Sequence, residues 1–328
     1  MTKTERQKIQ TSETPNQHIA SEEVRTEKKR RFGRKKHKIS RQDRIFEGIV
    51  YSILAVWTLL TIYPLIYVLS CSISPPEDVY MGRVFLFPTA IDFSSYAKVL
   101  KAPMIWRGYM NTIIYVVLGT LISCALTIPA GYVLSRKDFR PRGVLMTIFM
   151  ITMFFNGGMI PTFLLVKSYG LLNTVWALVL PGAVPIFNVI LVMNFFAAVP
   201  KELEEAAFID GANPLQVLTK IFIPISKPVL ATVSLFSIVG SWNDFYSGLI
   251  YMSKAAYYPL MTYIQSLQIN VEDLIKQGNL SAVVDSASLG NTNLNAAKIV
   301  VAVIPLLLIY PLLQRYFVSG IVVGSVKG

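Results

Sequence analysis

The chain has 328 residues, 53% of them hydrophobic and only 15% charged, with a mean hydropathy of +0.50. Soluble domains run at about 25% charged, so this composition excludes an ordinary soluble protein and points to an integral membrane protein. The net charge of +12 does not indicate a nucleic-acid partner: residues 1–45 alone hold 14 Lys/Arg against 6 Asp/Glu, and basicity placed before the first apolar run suits an orientation signal or contact with membrane lipid.

Residues 1–44 are polar and nearly free of aromatics, with basic blocks at 28–31 and 34–36. Such a segment cannot bury enough apolar area to offset its ordering entropy, so a disordered basic tail is predicted. It is too long to be the n-region of a cleaved signal peptide, and the apolar run behind it is long enough to span. Both histidines, His18 and His37, lie in this tail. That excludes most His-based catalysis and His-ligated metal from the apolar body, and no metal site is predicted. Cys71 and Cys124 sit in or beside apolar runs and read as packing residues, not a disulfide or zinc pair.

Residues 45–328 read as one all-α transmembrane domain. Six apolar stretches, near 46–72, 110–134, 144–166, 175–198, 222–250 and 297–317, each reach the length of about 20 residues that crosses roughly 30 Å of hydrocarbon. Pro64, Pro129, Pro161, Pro181, Pro185, Pro305 and Pro311 fall in or at the ends of these runs. Kinked spans are therefore expected, since neighbouring helices can re-satisfy the freed carbonyls. Lys298 and Arg315 flank the last run at depths where basic side chains snorkel.

Orientation follows from the short loops. Residues 135–142 carry four basic side chains in eight, which places that loop and the basic tail in the cytoplasm. Two more crossings return loop 199–221 to the same side, and an even span count returns the C-terminus. Connections 73–109, 167–174 and 251–296 then face outward. The last is long and rich in Asn, Ser and Gln, and reads as a structured external element.

The most informative stretch runs from Pro200 to Pro224. Pro200 suits a first turn, and Glu202, Glu204 and Glu205 favour the positive end of a helix dipole. Gly211 predicts a left-handed stop, and Asn213 followed by Pro214 predicts an N-cap and a restarted helix. Leu203, Ala206 and Ala207 would share a shallow apolar face on which two alanines permit close approach. The pattern describes a cytoplasmic helix–glycine–helix knob joined directly to the fifth span.

Other residues are less decisive. Asn156 with Gly157 and Gly158 reads as a helix break lining a path, or as a tight packing bend. Trp242, Asn243 and Asp244, late in the fifth run, read as path lining or as structural hydrogen bonding. Asn111, Asn188 and Asn194 fit interhelical bonds or sugar ligands. No Gly-Lys dipeptide occurs in the chain, so there is no P-loop lysine to hold nucleotide phosphates. A membrane enzyme would need paired carboxylates, a Ser/Lys set or His ligands in the spans, and none is visible. A transporter working alone would show internal repeats and ionisable residues along its spans, and intramembrane charge is nearly absent.

Glu205-Ala206-Ala207, three residues, Gly211, nine residues, then Ile221-Phe222-Ile223-Pro224 resembles the EAA loop of ATP-binding-cassette importer permeases. The family pattern is E-A-A-x3-G-x9-I-x-L-P, and the single departure is Ile223 where leucine is usual. Within that family, residues 45–328 are similar to the carbohydrate-uptake group, the maltose-permease G-type subunit and its relatives served by lipoprotein sugar receptors. Phe155-Asn156-Gly157-Gly158-Met159-Ile160-Pro161-Thr162, Trp242-Asn243-Asp244-Phe245 and the ending Gly324-Ser325-Val326-Lys327-Gly328 share in the likeness. The resemblance implies the type I importer-permease fold with six transmembrane helices and a cytoplasmic coupling helix. It implies that Leu203, Glu205, Ala206, Ala207, Asp210, Gly211 and Ala212 dock on an ATPase, that Gly324, Ser325, Val326, Lys327 and Gly328 reach between two ATPases, and that 251–295 meets a receptor. The candidate translocation path comprises Asn156, Trp242, Asn243 and Asp244. The implied partners are a second permease in a heterodimer, two copies of an ATPase carrying ATP and Mg, an extracytoplasmic solute-binding protein and membrane lipid. No cofactor and no catalysis are expected in this chain. An oligosaccharide is the expected cargo, and a non-sugar solute is the alternative, because the docking loop does not encode the substrate.

Overall fold

The computed structural model describes residues 41–267 and the helix Thr292–Ser325. The predicted disordered tail lies outside the described residues through position 40, as do 268–291 of the connection predicted to be external and 326–328 of the C-terminal ending. Among the described residues every regular element is helical.

The described residues divide into two compact units between Ile62 and Tyr63. In the first, helix α1 (Arg41–Ser72) begins, and its Trp57, Leu59 and Leu60 are exposed. Side chains of that kind held outward along a helix of spanning length are suited to lipid.

The second unit holds the end of α1 and then α2 (Pro76–Tyr80), α3 (Ser94–Lys101), α4 (Pro103–Ser135), α5 (Arg142–Phe154), α6 (Met159–Ser168), α7 (Val175–Val179), α8 (Ile186–Ala197), α9 (Lys201–Ile209), α10 (Pro214–Val217), α11 (Lys227–Asn243), α12 (Tyr246–Tyr251) and α13 (Thr292–Ser325). Within α1, α4 and α13 lie stretches long and apolar enough to cross a membrane unaided, and three bent pairs bring the number to six if each pair is one span.

The bent pairs depart from the continuous runs that hydropathy suggests. The stretch 144–166 is α5 and α6, which meet at 113°. The break falls at 155–158, where Gly158 has φ +88° and donates its N–H to Asn156 Oδ1 at 2.9 Å. The stretch 175–198 is parted by Pro181 and Pro185 into α7 and α8. The stretch 222–250 is parted at Asp244 between α11 and α12. After α8 the chain turns by 76° into α9, whose Lys201, Glu202, Glu204 and Glu205 would be costly in hydrocarbon. Lys298 also departs from expectation. At 7% exposure it is buried and donates to Asn295 Oδ1 at 3.2 Å, instead of reaching for an interface.

Helix α4 is the central pillar, packing on α8 and α11, while α11 packs on α13 and α13 on α3. A Cβ at Gly131 would sit 2.7 Å from Val192 Cγ1 and 3.1 Å from the Met193 nitrogen, so glycine alone lets α4 and α8 cross this closely. Polar groups turn inward: Thr112, Ser123, Thr127 and Asn188 are buried, the arrangement that lipid surroundings favour. Asn111 resolves as a structural residue, its Nδ2 donating to the carbonyls of Ala256 at 2.9 Å and Tyr258 at 3.1 Å.

Candidate functional site

The knob after α8 is built by local signals. Pro200 precedes α9 with φ −57° and ψ 133°, and Glu202 and Glu204 occupy the first turn. At the far end Gly211 adopts φ +82°. Its N–H donates to the Phe208 carbonyl at 3.0 Å, and the Ala212 N–H donates to the Ala207 carbonyl at 2.9 Å. These two bonds are the paired closure of a left-handed helix stop. The next helix starts at once: Gln216 N–H donates to Asn213 Oδ1 and Asn213 N–H to Gln216 Oε1, both at 2.9 Å. The glycine stop and the Asn-Pro restart are where the sequence places them. Gln216, three residues after its cap, is the capping-box partner that the sequence reading left out.

The knob has an outer and an inner side. Ile209 is 86% exposed and Leu215 68%, and Leu203, Glu205, Ala206, Phe208 and Asp210 are also exposed. Ala207 and Ala212 instead rest against a core of Val192, Phe196, Val217 and Phe222. Leu203, Ala206 and Ala207 therefore do not present one outward face. Successive α-helical residues stand about 100° apart, enough to set Ala206 outward and Ala207 inward. The smallness of Ala207 serves the seating of α9 on its own chain.

Beneath the knob three rings meet edge to face: Tyr132 with Phe196 at 6.3 Å, Tyr132 with Phe222 at 5.2 Å and Phe196 with Phe222 at 5.4 Å between centroids. The Arg136 guanidinium carbon lies 4.4 Å from the Tyr132 ring centre and 4.6 Å from that of Phe222. Arg136 Nη1 also pairs with Glu204 Oε2, and Tyr132 Oη donates to Glu204 Oε1 at 3.4 Å. Burial pushes Arg136 below its ordinary pKa, yet a guanidinium remains charged at physiological pH. Sequence reasoning used Arg136 only as a cytoplasmic marker and Glu204 only as a first-turn carboxylate. The available signal was local, Tyr132 and Arg136 one helical turn apart, and their partner on α9 is distant in sequence.

The path into α11 is unusual. Leu218–Phe222 forms a π-helical turn, Ile223–Ile225 one further α-turn, and the segment Pro214–Ile225 meets α11 at 85°. Pro224 brings no N–H to this ladder, which removes one bond that would hold the tighter α spacing.

Higher in the same unit a cavity of about 280 Å³ opens between α4, α11 and the α7–α8 turn, with Thr112, Tyr115, Ser123, Ser237 and Ser241 supplying hydroxyls and Asp244 a carboxylate. Asp244 Oδ1 accepts the Ser247 N–H at 3.0 Å. Of the four candidate path residues, Asp244 alone lines this cavity. Trp242 is 3% exposed and donates from Nε1 to the Ala302 carbonyl at 3.1 Å, a structural bond between α11 and α13. Asn243 bonds back to the Val239 carbonyl at 3.0 Å, and Asn156 belongs to the α5–α6 break. A wall of hydroxyls and one carboxylate can exchange hydrogen bonds with a polyhydroxylated solute. The C-terminal candidates divide as well: Gly324 and Ser325 belong to α13, while Val326, Lys327 and Gly328 lie outside the described residues.

Comparison with known proteins agrees with this architecture. A polygalacturonan/rhamnogalacturonan transport system permease protein of Bacillus subtilis (strain 168) is 37% identical over 287 residues, covering 88% of this chain and 100% of that protein. An arabinooligosaccharides transport system permease protein of Halalkalibacterium halodurans is 25% identical over 274 residues, covering 82% of this chain and 92% of that one. Among solved structures, a chain of a bacterial ABC transporter involved in the import of the acidic polysaccharide alginate is similar with a TM-score of 0.74 and 38% identity, over 85% of this chain and 98% of that chain. The helices described above thus have the type I importer-permease fold, as the resemblance implied. Residues 127–323 match the family described as binding-protein-dependent transport system inner membrane component, and the chain belongs to that family of membrane-embedded, multi-pass permeases.

Proposed function

We propose that this chain is one permease subunit of an ATP-driven, binding-protein-dependent importer of oligosaccharides. The observation that carries the reading is the likeness, at 37% and 38% identity over most of the chain, to a polygalacturonan/rhamnogalacturonan permease and to a chain of an alginate importer. The exposed knob around Ile209 and Leu215 supplies the means of coupling. A separate ATPase, holding ATP and Mg, docks on Leu203, Glu205, Ala206 and Asp210, and Gly211 and Ala212 fix the corner. Two such ATPases serve a heterodimer of this chain and a second permease, and a solute-binding protein delivers sugar to the outer face. Closure of the ATPases draws the knobs together, and the spans rock so that the cavity beside Asp244 opens outward.

The test is uptake of labelled oligogalacturonate, alginate oligomers and arabino-oligosaccharides by cells lacking this chain and by the same cells with it restored. Restored uptake of at least one, with co-purification of an ATPase, is the expected result. Equal uptake of all three with and without the chain overturns the sugar reading.

Both termini and loop 135–143 are placed in the cytoplasm, and 251–296 outside. In a Cys71→Ser/Cys124→Ser background, an impermeant thiol reagent applied to intact cells should label Lys254→Cys and spare Lys137→Cys. Both positions are exposed. The reverse pattern overturns the orientation.

A further inference from the structure

We propose that Arg136 is a positioning residue that locks the knob to the cavity-lining helices, so that movement imposed on α9 reaches α4 and α11 as one body. The inference rests on the coupling role proposed above and adds the element that transmits the movement.

Three separate pieces of chain converge on this side chain. Its own backbone is the C-cap of α4. Its guanidinium pairs with Glu204 of α9. One face of its contacts is the ring of Phe222, the last residue of the π turn that leads into α11. Helices α4 and α11 are the same two that supply Thr112, Tyr115, Ser123, Ser237 and Ser241 to the cavity wall. A single side chain thus ties the docking helix to both walls. The other links between α9 and the body among the described residues include the hydrogen bond from Tyr132 Oη to the same Glu204 carboxylate and, with Ala212 just past the corner, the contacts of Ala207 with the aromatic core. The alanine contacts are apolar and non-directional, so they resist separation better than sliding. The Arg136–Glu204 pair is directional and resists sliding.

The site is also poorly suited to be a mere stabiliser. Nε and Nη2 of Arg136 are buried and have no hydrogen-bond partner among the described residues. Desolvation of this cation is therefore offset by its pair with Glu204, two ring faces and the nearby charge of Asp138. A buried ion pair is often replaceable by neutral groups without loss of stability, whereas removal of one member strands the other. This contrast separates a joint from a structural brace.

The experiment uses the full complex with its ATPase, with Arg136→Gln, Glu204→Gln and the double variant. Sugar transported per ATP hydrolysed is measured in proteoliposomes. In parallel, the distance between spin labels at Glu202→Cys and Leu121→Cys is followed through ATP binding; both positions are exposed, on α9 and α4. The label distance should stay fixed on ATP binding when Arg136 and Glu204 are present, and should change in all three variants. Transport per ATP should fall at least tenfold in each. The double variant should regain assembly and ATPase activity lost in the singles without regaining that ratio. A wild-type transport ratio in the double variant, or a label distance that already changes with the native pair, overturns the proposal. The label readout needs no sugar, so failure of the native complex to transport any oligosaccharide would count against the proposed cargo and leave the joint to be judged on distance.

Discussion

Gly211→Val is expected to weaken retention of the ATPase by about tenfold or more and to slow transport in proportion. Gly211 has φ +82°, and a Cβ there would meet nothing within 4 Å. The whole effect is therefore in the backbone. A left-handed conformation costs an ordinary L-residue about 1–2 kcal/mol, and a β-branched one is a more serious outlier. About 1.4 kcal/mol corresponds to a tenfold change in an equilibrium constant. If the chain relaxes instead, the bonds from Gly211 and Ala212 back to Phe208 and Ala207 open and the knob loses its corner. Asparagine tolerates this region, so Gly211→Asn should lie close to the native protein and Gly211→Ala between the two. The measurement is the fraction of complex retaining ATPase on purification, with transport in proteoliposomes. Valine and glycine behaving alike would remove the corner from the coupling mechanism.

Gly131→Leu should have the largest effect on stability, and it involves no partner. The close crossing of α4 and α8 leaves 2.7 Å between a Cβ at 131 and Val192 Cγ1, and 3.1 Å to a backbone nitrogen. The side chain of Val192 is fully buried and the Met193 backbone cannot turn aside, so the helices must separate. Overpacking typically costs about 1–3 kcal/mol, and Gly131→Ala should already fall in that range, with leucine worse. Gly119 on the same helix is the control: its Cβ would make ordinary contact with Ser241 Oγ at 3.6 Å, and Gly119→Ala should stay within about 0.5 kcal/mol. Thermal unfolding of the purified complex gives the comparison. Equal midpoints for the two alanine variants would mean that α4 and α8 are not held at this spacing.

What was legible in the sequence was local. Runs of apolar residues mark the membrane stretches, and Gly211 and Asn213-Pro214 mark a corner, because each acts through its own backbone or its immediate neighbours. Pro181, Pro185 and Gly158 signalled interruption, but not how far the chain would turn: the 113° bend between α5 and α6 depends on what packs on either side. The inward turn of Ala207 was hidden for a similar reason. An alanine at the edge of a helical stripe fits either side equally, and Val192 and Phe196 of another helix decide. Trp242 shows an alternative that only the structure could decide. An indole with polar neighbours fits path lining or structural bonding equally well, and its N–H is spent on the Ala302 carbonyl of α13. The Arg136–Glu204 pair was least visible, since its members lie on different helices and each had a sufficient local explanation.

The closure of the knob's corner on itself has a further meaning. Gly211, Ala212, Asn213 and Gln216 all place their backbone donors within the corner, so a docking surface has few peptide groups left to satisfy. Recognition then reduces to the shape and charge of the outward side chains, chiefly Ile209, Leu215 and Glu205. The bonds that shape the corner thus close within residues 207–216, whereas its seat depends on the core under Ala207 and Ala212 and on the Arg136–Glu204 pair.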